Sequence, residues 1–358
     1  MWHAPSARPA RLALREHGGA LPVDMASPEG LLDFSVNVNP AGPAPAVAAA
    51  IRNAPVHAYP DPTARAAREA LARHAGCRPE AIVLGNGAAE LLWTLATVLL
   101  AAGDRVLMVG PTFSEFGAAA RLRRAEIAEW RATEAERFAV DLAAVAAAVG
   151  RTKAAAVYVC SPNNPTGAAV PVAAVARLAA AFPGTTFVLD EAFLALSEQH
   201  AERTEPVPAN VVRVRSLTKD HGIPGVRVGY LIAEPALAAE AEASRPPWTT
   251  GSAAQAAAVA ACQADGFVAE SRQRLLADRA RLAARLTALG LDPIPSTTCF
   301  LLVRVDGDPG LQRRLLENHG ILVRECSSFG LPGYLRLAAR PPADQERLLR
   351  ALTAERAR

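Results

Sequence analysis

Short runs of β-branched and apolar residues recur through the first two-thirds of the chain, each closed by polar or glycine-rich positions. They occupy residues 81–85 (AIVLG), 105–110 (RVLMVG), 154–160 (AAAVYVC), 185–190 (TTFVLD), 211–216 (VVRVRS) and 226–233 (VRVGYLIA). Several are separated by Ala/Leu/Arg-rich stretches with helical periodicity, such as Val172 to Phe182. Strands that alternate with helices predict a mostly parallel sheet with helices on both faces. The last two runs are joined by a segment too short for a helix, which allows one antiparallel pairing.

After Ser244 the texture changes. A long helical pattern runs from Ala253 to about Leu289, followed by FLLVRV (300–305), a helix near Gly310 to His319, GILVREC (320–326) and YLRLAAR (334–340). This predicts a smaller α+β domain. Residues 46–245 are read as a large domain, and residues 1–45 with 246–358 as a small one. The Pro/Gly-rich segment Asn39 to Pro45 marks the crossing between them.

Composition narrows the classes. About half of the 358 residues are apolar (51%), enough for a substantial core, and the net charge of +3 is spread over single arginines. The tightest basic cluster, Arg121, Arg123 and Arg124, lies in an Ala-rich helical stretch and reads as a solvated face rather than a nucleic-acid patch. Five cysteines stand without CxxC or Cys/His spacing, which argues against a zinc site or a disulfide framework and fits a reducing cytoplasm. The N-terminal segment has no apolar signal-peptide core, and the longest near-apolar stretch, Leu91 to Ala102, is too short to span a bilayer.

One feature of the composition points to chemistry. Only two lysines occur, Lys153 and Lys219, so arginine supplies nearly all the positive charge. Guanidinium cannot replace an amine that must lose its proton and condense with an aldehyde. Lys153 precedes an apolar run and reads as a strand-entry charge; Lys219, in SLTKDHGIPGVRVGY, is a candidate Schiff-base lysine. A cofactor carrying both an aldehyde and a phosphate needs an amine for the first and groups such as Ser216 and Arg227 for the second.

The other informative segments also follow predicted strands, where open α/β sheets gather ligands. Asp190 ends TTFVLD, and a carboxylate at the inner end of a buried strand calls for a cationic partner such as a protonated pyridine nitrogen. SPNNPTG can aim Asn164 at a ligand oxygen. GNGAAE opens a helix whose amides near Ala88 and Ala89 can hold a phosphate, although Glu90 stands where a dinucleotide fingerprint needs its third glycine. Phe113 can stack on a flat ring.

With SPNNPTG, DEAF, SLTK and the downstream arginine in place, the chain resembles a fold-type I pyridoxal phosphate enzyme of the class I/II aminotransferase superfamily. The likeness runs from about His17 to Leu352. Within the superfamily it is similar to the branch of histidinol-phosphate aminotransferases and the threonine-phosphate decarboxylases of cobalamin synthesis. The resemblance implies an aspartate aminotransferase-like fold with a seven-stranded large sheet. It also implies pyridoxal 5'-phosphate bound to Lys219, with Asp190 on the pyridine nitrogen and Asn164 on the ring's 3-oxygen. Ser216, Arg227 and the backbone around Ala88 and Ala89 hold the phosphate, Phe113 stacks, and Arg336 binds the substrate carboxylate. Tyr59 reaches the phosphate of a neighbouring subunit, which implies a homodimer with shared sites.

Phe193 departs from the aminotransferase pattern, which has Tyr after DEA. That residue, His17-Gly-Gly, Asn37 in DFSVNVNP and ILVRECSSF lean toward the decarboxylase, with His17 and Asn37 holding the substrate's phosphate tail. The compact SSFGLPGYLRL leans the other way. Decarboxylation of L-threonine O-3-phosphate is the first choice on sequence, amino transfer of the histidinol-phosphate type the second, and a cofactor-binding regulator without catalysis a distant third. No metal is expected.

Overall fold

The computed structural model describes residues 18–19, 21, 30–305, 308 and 310–356. Seven strands form the large sheet: β1 (Ile82–Gly85), β2 (Arg105–Gly110), β3 (Glu126–Arg131), β4 (Ala156–Cys160), β5 (Thr186–Asp190), β6 (Val211–Ser216) and β7 (Gly229–Ile232). Their order is β1-β7-β6-β5-β4-β2-β3. All neighbours are parallel except β7, which runs antiparallel to both β1 and β6. The expected single antiparallel pairing is therefore two, because β7 returns between β1 and β6.

Period-two alternation divides the core between the two faces of this sheet. Val106, Tyr158, Val188, Val212 and Leu231 face one layer with Leu91, Leu92 and Leu95. Leu107, Val109, Val157, Phe187, Leu189 and Val211 face the other with Val145, Val175 and Leu178. Both faces being covered, β4 and most of β2 and β5 are apolar without alternation, which is why they stand out in the sequence.

β3 was not expected. Its sequence, EIAEWR, lies at the sheet edge, where charged residues such as Glu126 and Arg131 remain exposed. An edge strand needs only one covered face, so its apolar signal is diluted. The basic cluster before it caps a helix, Glu115–Leu122, whose chain reverses at Arg124 with φ +62°.

The long C-terminal helix is two helices, α1 (Ser252–Ala261) and α2 (Asp265–Ala288). Asp265 starts α2, where a carboxylate suits the helix amides, and it pairs with Arg203 (3.4 Å) and His74 (3.7 Å). A smaller sheet follows, containing β8 (Asp292–Pro293), β9 (Phe300–Arg304), β10 (Arg324–Glu325) and β11 (Tyr334–Ala338), all antiparallel. GILVREC divides: Ile321–Leu322 pairs parallel with Leu32–Asp33, while Arg324–Glu325 joins β11. Leu282, Leu286, Leu301, Val303, Leu335, Leu337 and Leu348 form its core. Among the described residues no helix is long and apolar enough to cross a membrane.

Candidate active site

Register places the carboxyl ends of the parallel strands in line: Cys160 pairs with Asp190, and Asp190 with Val214 near the end of β6. The segments that follow β1, β2, β4, β5 and β6 meet residues 35–37 and the smaller sheet around a cavity of about 890 Å³. Ala88, Ala89, Phe113, Asn164, Asp190, Ser216, Lys219, Arg227, Asn37 and Arg336 all line it. Ten of the twelve residues expected from sequence are thus brought together.

Lys219 follows β6 through a tight turn, in which the Ser216 and Thr218 hydroxyls lie 2.7 Å apart and the Thr218 N–H donates to Ser216 Oγ. Burial of the amine lowers its pKa to about 8, with repulsion from Arg227 and Arg336 adding to the effect. A lowered amine pKa means that neutral, nucleophilic amine accumulates above pH 8 instead of above the ordinary 10.5. Labelling of the cofactor-free protein with an amine-specific reagent is therefore expected to reach half its maximal rate at Lys219 near pH 8. With only two lysines, peptide mass spectrometry separates the sites, and a midpoint above pH 10 would contradict this environment.

Asp190 is buried at the end of β5. Its Oδ2 accepts from the Tyr158 hydroxyl (2.7 Å) and its Oδ1 from the Ala192 N–H (3.0 Å). Burial raises its pKa, while those two donors oppose the shift. Among the described residues no arginine or lysine lies within ion-pair distance of it, so its charge is directed to whatever occupies the cavity.

In the SPNNPTG turn the two asparagines divide the work. Asn163 holds the turn, donating to the Pro111 carbonyl (2.8 Å) and Thr166 Oγ1 (2.9 Å) and accepting from Thr112 (2.8 Å). Asn164 is left facing the cavity, where its Oδ1 accepts from Arg336 Nη1 at 2.5 Å. Arg336 Nη2 donates to the Ser35 carbonyl at 2.5 Å, and among the described residues Nε has no partner. Burial draws the Arg336 pKa down to about 10, which still leaves it charged at neutral pH.

At the opposite end, the helix Gly87–Leu99 directs its first amides at the cavity. Two glycines allow the close approach of chain and side chain there. A Cβ on Gly87 would stand 2.5 Å from Arg227 Nη2, and one on Gly229 2.8 Å from the Ala88 nitrogen. Arg227 is anchored on the Pro224 and Asn86 carbonyls (3.1 and 3.3 Å). Ser216, Arg227 and the helix amides thus make a cradle suited to a phosphate.

Two expected residues are elsewhere. Tyr59 is 80% exposed, packed on Trp248 with ring centroids 4.7 Å apart, and does not line the cavity of its own chain. His17 lies outside the described residues.

Several residues at the site carried too little sequence signal to be singled out. Tyr158 supports Asp190, and a tyrosine inside an otherwise apolar run was its only trace. Arg324 lines the cavity, donates to Ser328 Oγ (2.5 Å) and lies over the Phe329 ring. Glu191, the second acid of DEAF, faces away from the cavity and is fully buried between Arg213 (2.6 Å) and Arg215 (2.8 Å).

The sequence profile of the family described as Aminotransferase class I and II matches residues 29–354. A histidinol-phosphate aminotransferase of Symbiobacterium thermophilum is 36% identical over 332 residues, 90% of each chain. The crystal structure of histidinol-phosphate aminotransferase from Sinorhizobium meliloti in complex with pyridoxal-5'-phosphate is similar with a TM-score of 0.79 and 30% identity, covering 88% of each chain. L-Threonine-O-3-phosphate decarboxylase from Porphyromonas gingivalis has the same TM-score of 0.79 at 26% identity, over 92% of this chain and all of that one.

Proposed function

The chain belongs to the class I and II aminotransferase family, and we propose that it transfers an amino group between a small phosphorylated amine or amino acid, of the histidinol-phosphate type, and a 2-oxo acid. Pyridoxal 5'-phosphate is the cofactor, and when bound it supplies a carbonyl for amine exchange and an electron sink for charge developing at the substrate's Cα. The observation that carries the reading is the convergence of Lys219, Asp190 and Arg336 on one cavity: an amine with a lowered pKa, a buried carboxylate with no arginine or lysine at ion-pair distance among the described residues, and a buried arginine.

In this reading Asp190, held by Tyr158, keeps a proton on the ring nitrogen. Asn164 bonds the ring's 3-oxygen, Phe113 covers one ring face, and the cradle of Ser216, Arg227, Ala88 and Ala89 binds the phosphate. Lys219 Nζ holds the cofactor and moves the proton at substrate Cα. Arg336 binds the carboxylate of the amino-acid partner. Arg324, Ser328 and Asn37, which also line the cavity, take the substrate's phosphate tail, together with His17. Both amide atoms of Asn37 are buried without a partner among the described residues, which supports a ligand contact there.

Residues 46–245 serve as the cofactor-binding domain, and residues 1–45 with 246–358 as the smaller one. The protein acts as a homodimer, a reading supported by the exposed apolar pair Tyr59 and Trp248, from which Tyr59 reaches the second subunit's site. Five unpaired cysteines agree with a cytoplasmic setting.

Decarboxylation of L-threonine O-3-phosphate, the first choice on sequence, becomes the second reading, because the curated relatives are named histidinol-phosphate aminotransferases. Phe193 still favours it. The residue is buried on the cavity wall, edge-on to Phe300 with centroids 5.0 Å apart, and supplies no hydroxyl. A phenol bonded to the ring's 3-oxygen would withdraw charge from it and weaken its hold on the proton of the neighbouring lysine nitrogen. Phe193→Tyr is therefore expected to lower the pH midpoint of the holoenzyme's visible absorbance by about one unit; an unmoved or raised midpoint refutes this role.

The deciding experiment incubates purified holoenzyme with histidinol phosphate and 2-oxoglutarate, following glutamate. In parallel it is given threonine phosphate alone, following CO₂. Glutamate that depends on both partners is expected; CO₂ without an amino acceptor would replace this reading with the second.

A further inference from the structure

The turn that carries Lys219 is held from two sides. On the inner side are its own neighbours, Ser216 and Thr218. On the outer side runs residues 35–42, the segment that leaves the Leu32–Asp33 strand and enters the helix Pro45–Arg52. Among the described residues the hydrogen bonds between them come from one residue. The Asn39 N–H donates to the Lys219 carbonyl at 2.8 Å, and Asn39 Nδ2 donates to the Asp220 carbonyl at 2.9 Å. Asn39 Oδ1 accepts from the Ala41 N–H at 3.1 Å, which closes the segment's own turn. The side chain is buried, with both ends used. Beside it the two backbones touch: a Cβ on Gly222, where φ is +62°, would stand 2.7 Å from the Gly42 carbonyl carbon.

We infer that Asn39 is a positioning residue for Lys219, fixing the main chain of the Lys219–Asp220 turn so that the amine stands at its working height in the cavity. The inference rests on the assignment of Lys219 as the cofactor-bound amine. Its physical basis is leverage. A side-chain hydrogen bond contributes little to folding, but displacement of a reacting group by about 1 Å costs on the order of 100-fold in rate. The same segment also meets the substrate side, because the Ser35 carbonyl receives Arg336 and Asn37 lines the cavity. Four residues of extended chain, at most about 14 Å, separate Ser35 from Asn39. One short segment thus holds both the carboxylate-binding arginine and the lysine turn.

The test compares Asn39→Ala and Asn39→Asp with wild type as holoenzymes. Asp keeps an acceptor for the Ala41 N–H but cannot, as a carboxylate, donate to the Asp220 carbonyl, so it separates turn closure from control of the lysine. Both variants are expected to lose roughly 10- to 100-fold in kcat, with KM changed by less than about threefold. Both should also move the pH midpoint of the visible absorbance by about half a unit or more. In the cofactor-free protein, the pH midpoint for labelling Lys219 should move as well. Wild-type kcat and midpoints in Asn39→Asp would overturn the inference, and so would failure of both variants to fold, which would make Asn39 a folding residue. A wild-type protein without a visible cofactor band would instead sink the assignment of Lys219. A normal wild-type band with unmoved variants sinks the positioning role alone.

Discussion

Lys219→Ala is expected to lower turnover by about 10³-fold or more and to abolish the visible band that borohydride bleaches. The size follows from two duties meeting on one nitrogen. The amine holds the cofactor, and it then moves the proton at substrate Cα. Asp190 is committed to Tyr158 and the Ala192 N–H, and Arg227 and Arg336 stay protonated. Lys219→Arg should fail equally, although it preserves charge and much of the volume. A small primary amine added to Lys219→Ala should restore part of the rate by supplying the missing base. Steady-state turnover and absorbance spectra of the three proteins check the expectation; activity within tenfold of wild type in either variant would refute it.

The largest expected loss of stability is at the residue that follows Asp190. Glu191 has no exposed side-chain surface and is the shared counter-charge for Arg213 and Arg215, both almost fully buried. Although burial works against the charge on Arg215, the Glu191 carboxylate raises its pKa above the ordinary value. The arginines extend the network to backbone, Arg213 to the Glu202 and Glu205 carbonyls and Arg215 to the Arg203 carbonyl. Glu191→Ala strands two guanidinium groups in the interior, which costs about 3–5 kcal/mol for a broken buried pair. For a chain of this length that corresponds to a fall in Tm of about 4–7 °C. Glu191→Gln should lose nearly as much, since it keeps the shape and removes the charge. Calorimetry of the holoenzymes measures both; a loss below about 1 kcal/mol would show that the arginines find other partners.

These adjacent acids show where sequence reading succeeds and where it stops. Asp190 was legible because a lone carboxylate at the end of an apolar run has few bland explanations. Glu191 follows it immediately, yet strand geometry turns it to the opposite face, and its partners lie 22 and 24 residues away on β6. Nothing local to DEAF announces that pairing. Tyr158 and Arg324 were hidden for a related reason: each stands in a run whose apolar or strand character masks a single polar side chain.

The chain's own residues determined the cofactor chemistry and the architecture. A lysine retained where arginine had replaced nearly all others, a carboxylate ending a buried strand, and strand-helix alternation are local patterns with direct physical causes. Only tertiary structure decided how those groups are held. The insertion of β7 between β1 and β6, the edge strand β3 and the break at residues 262–264 depend on which faces are covered by distant elements. The contact of Asn39 with the Lys219 turn depends on two segments 180 residues apart arriving at one place, because backbone carbonyls accept hydrogen bonds from any donor that the fold brings within reach.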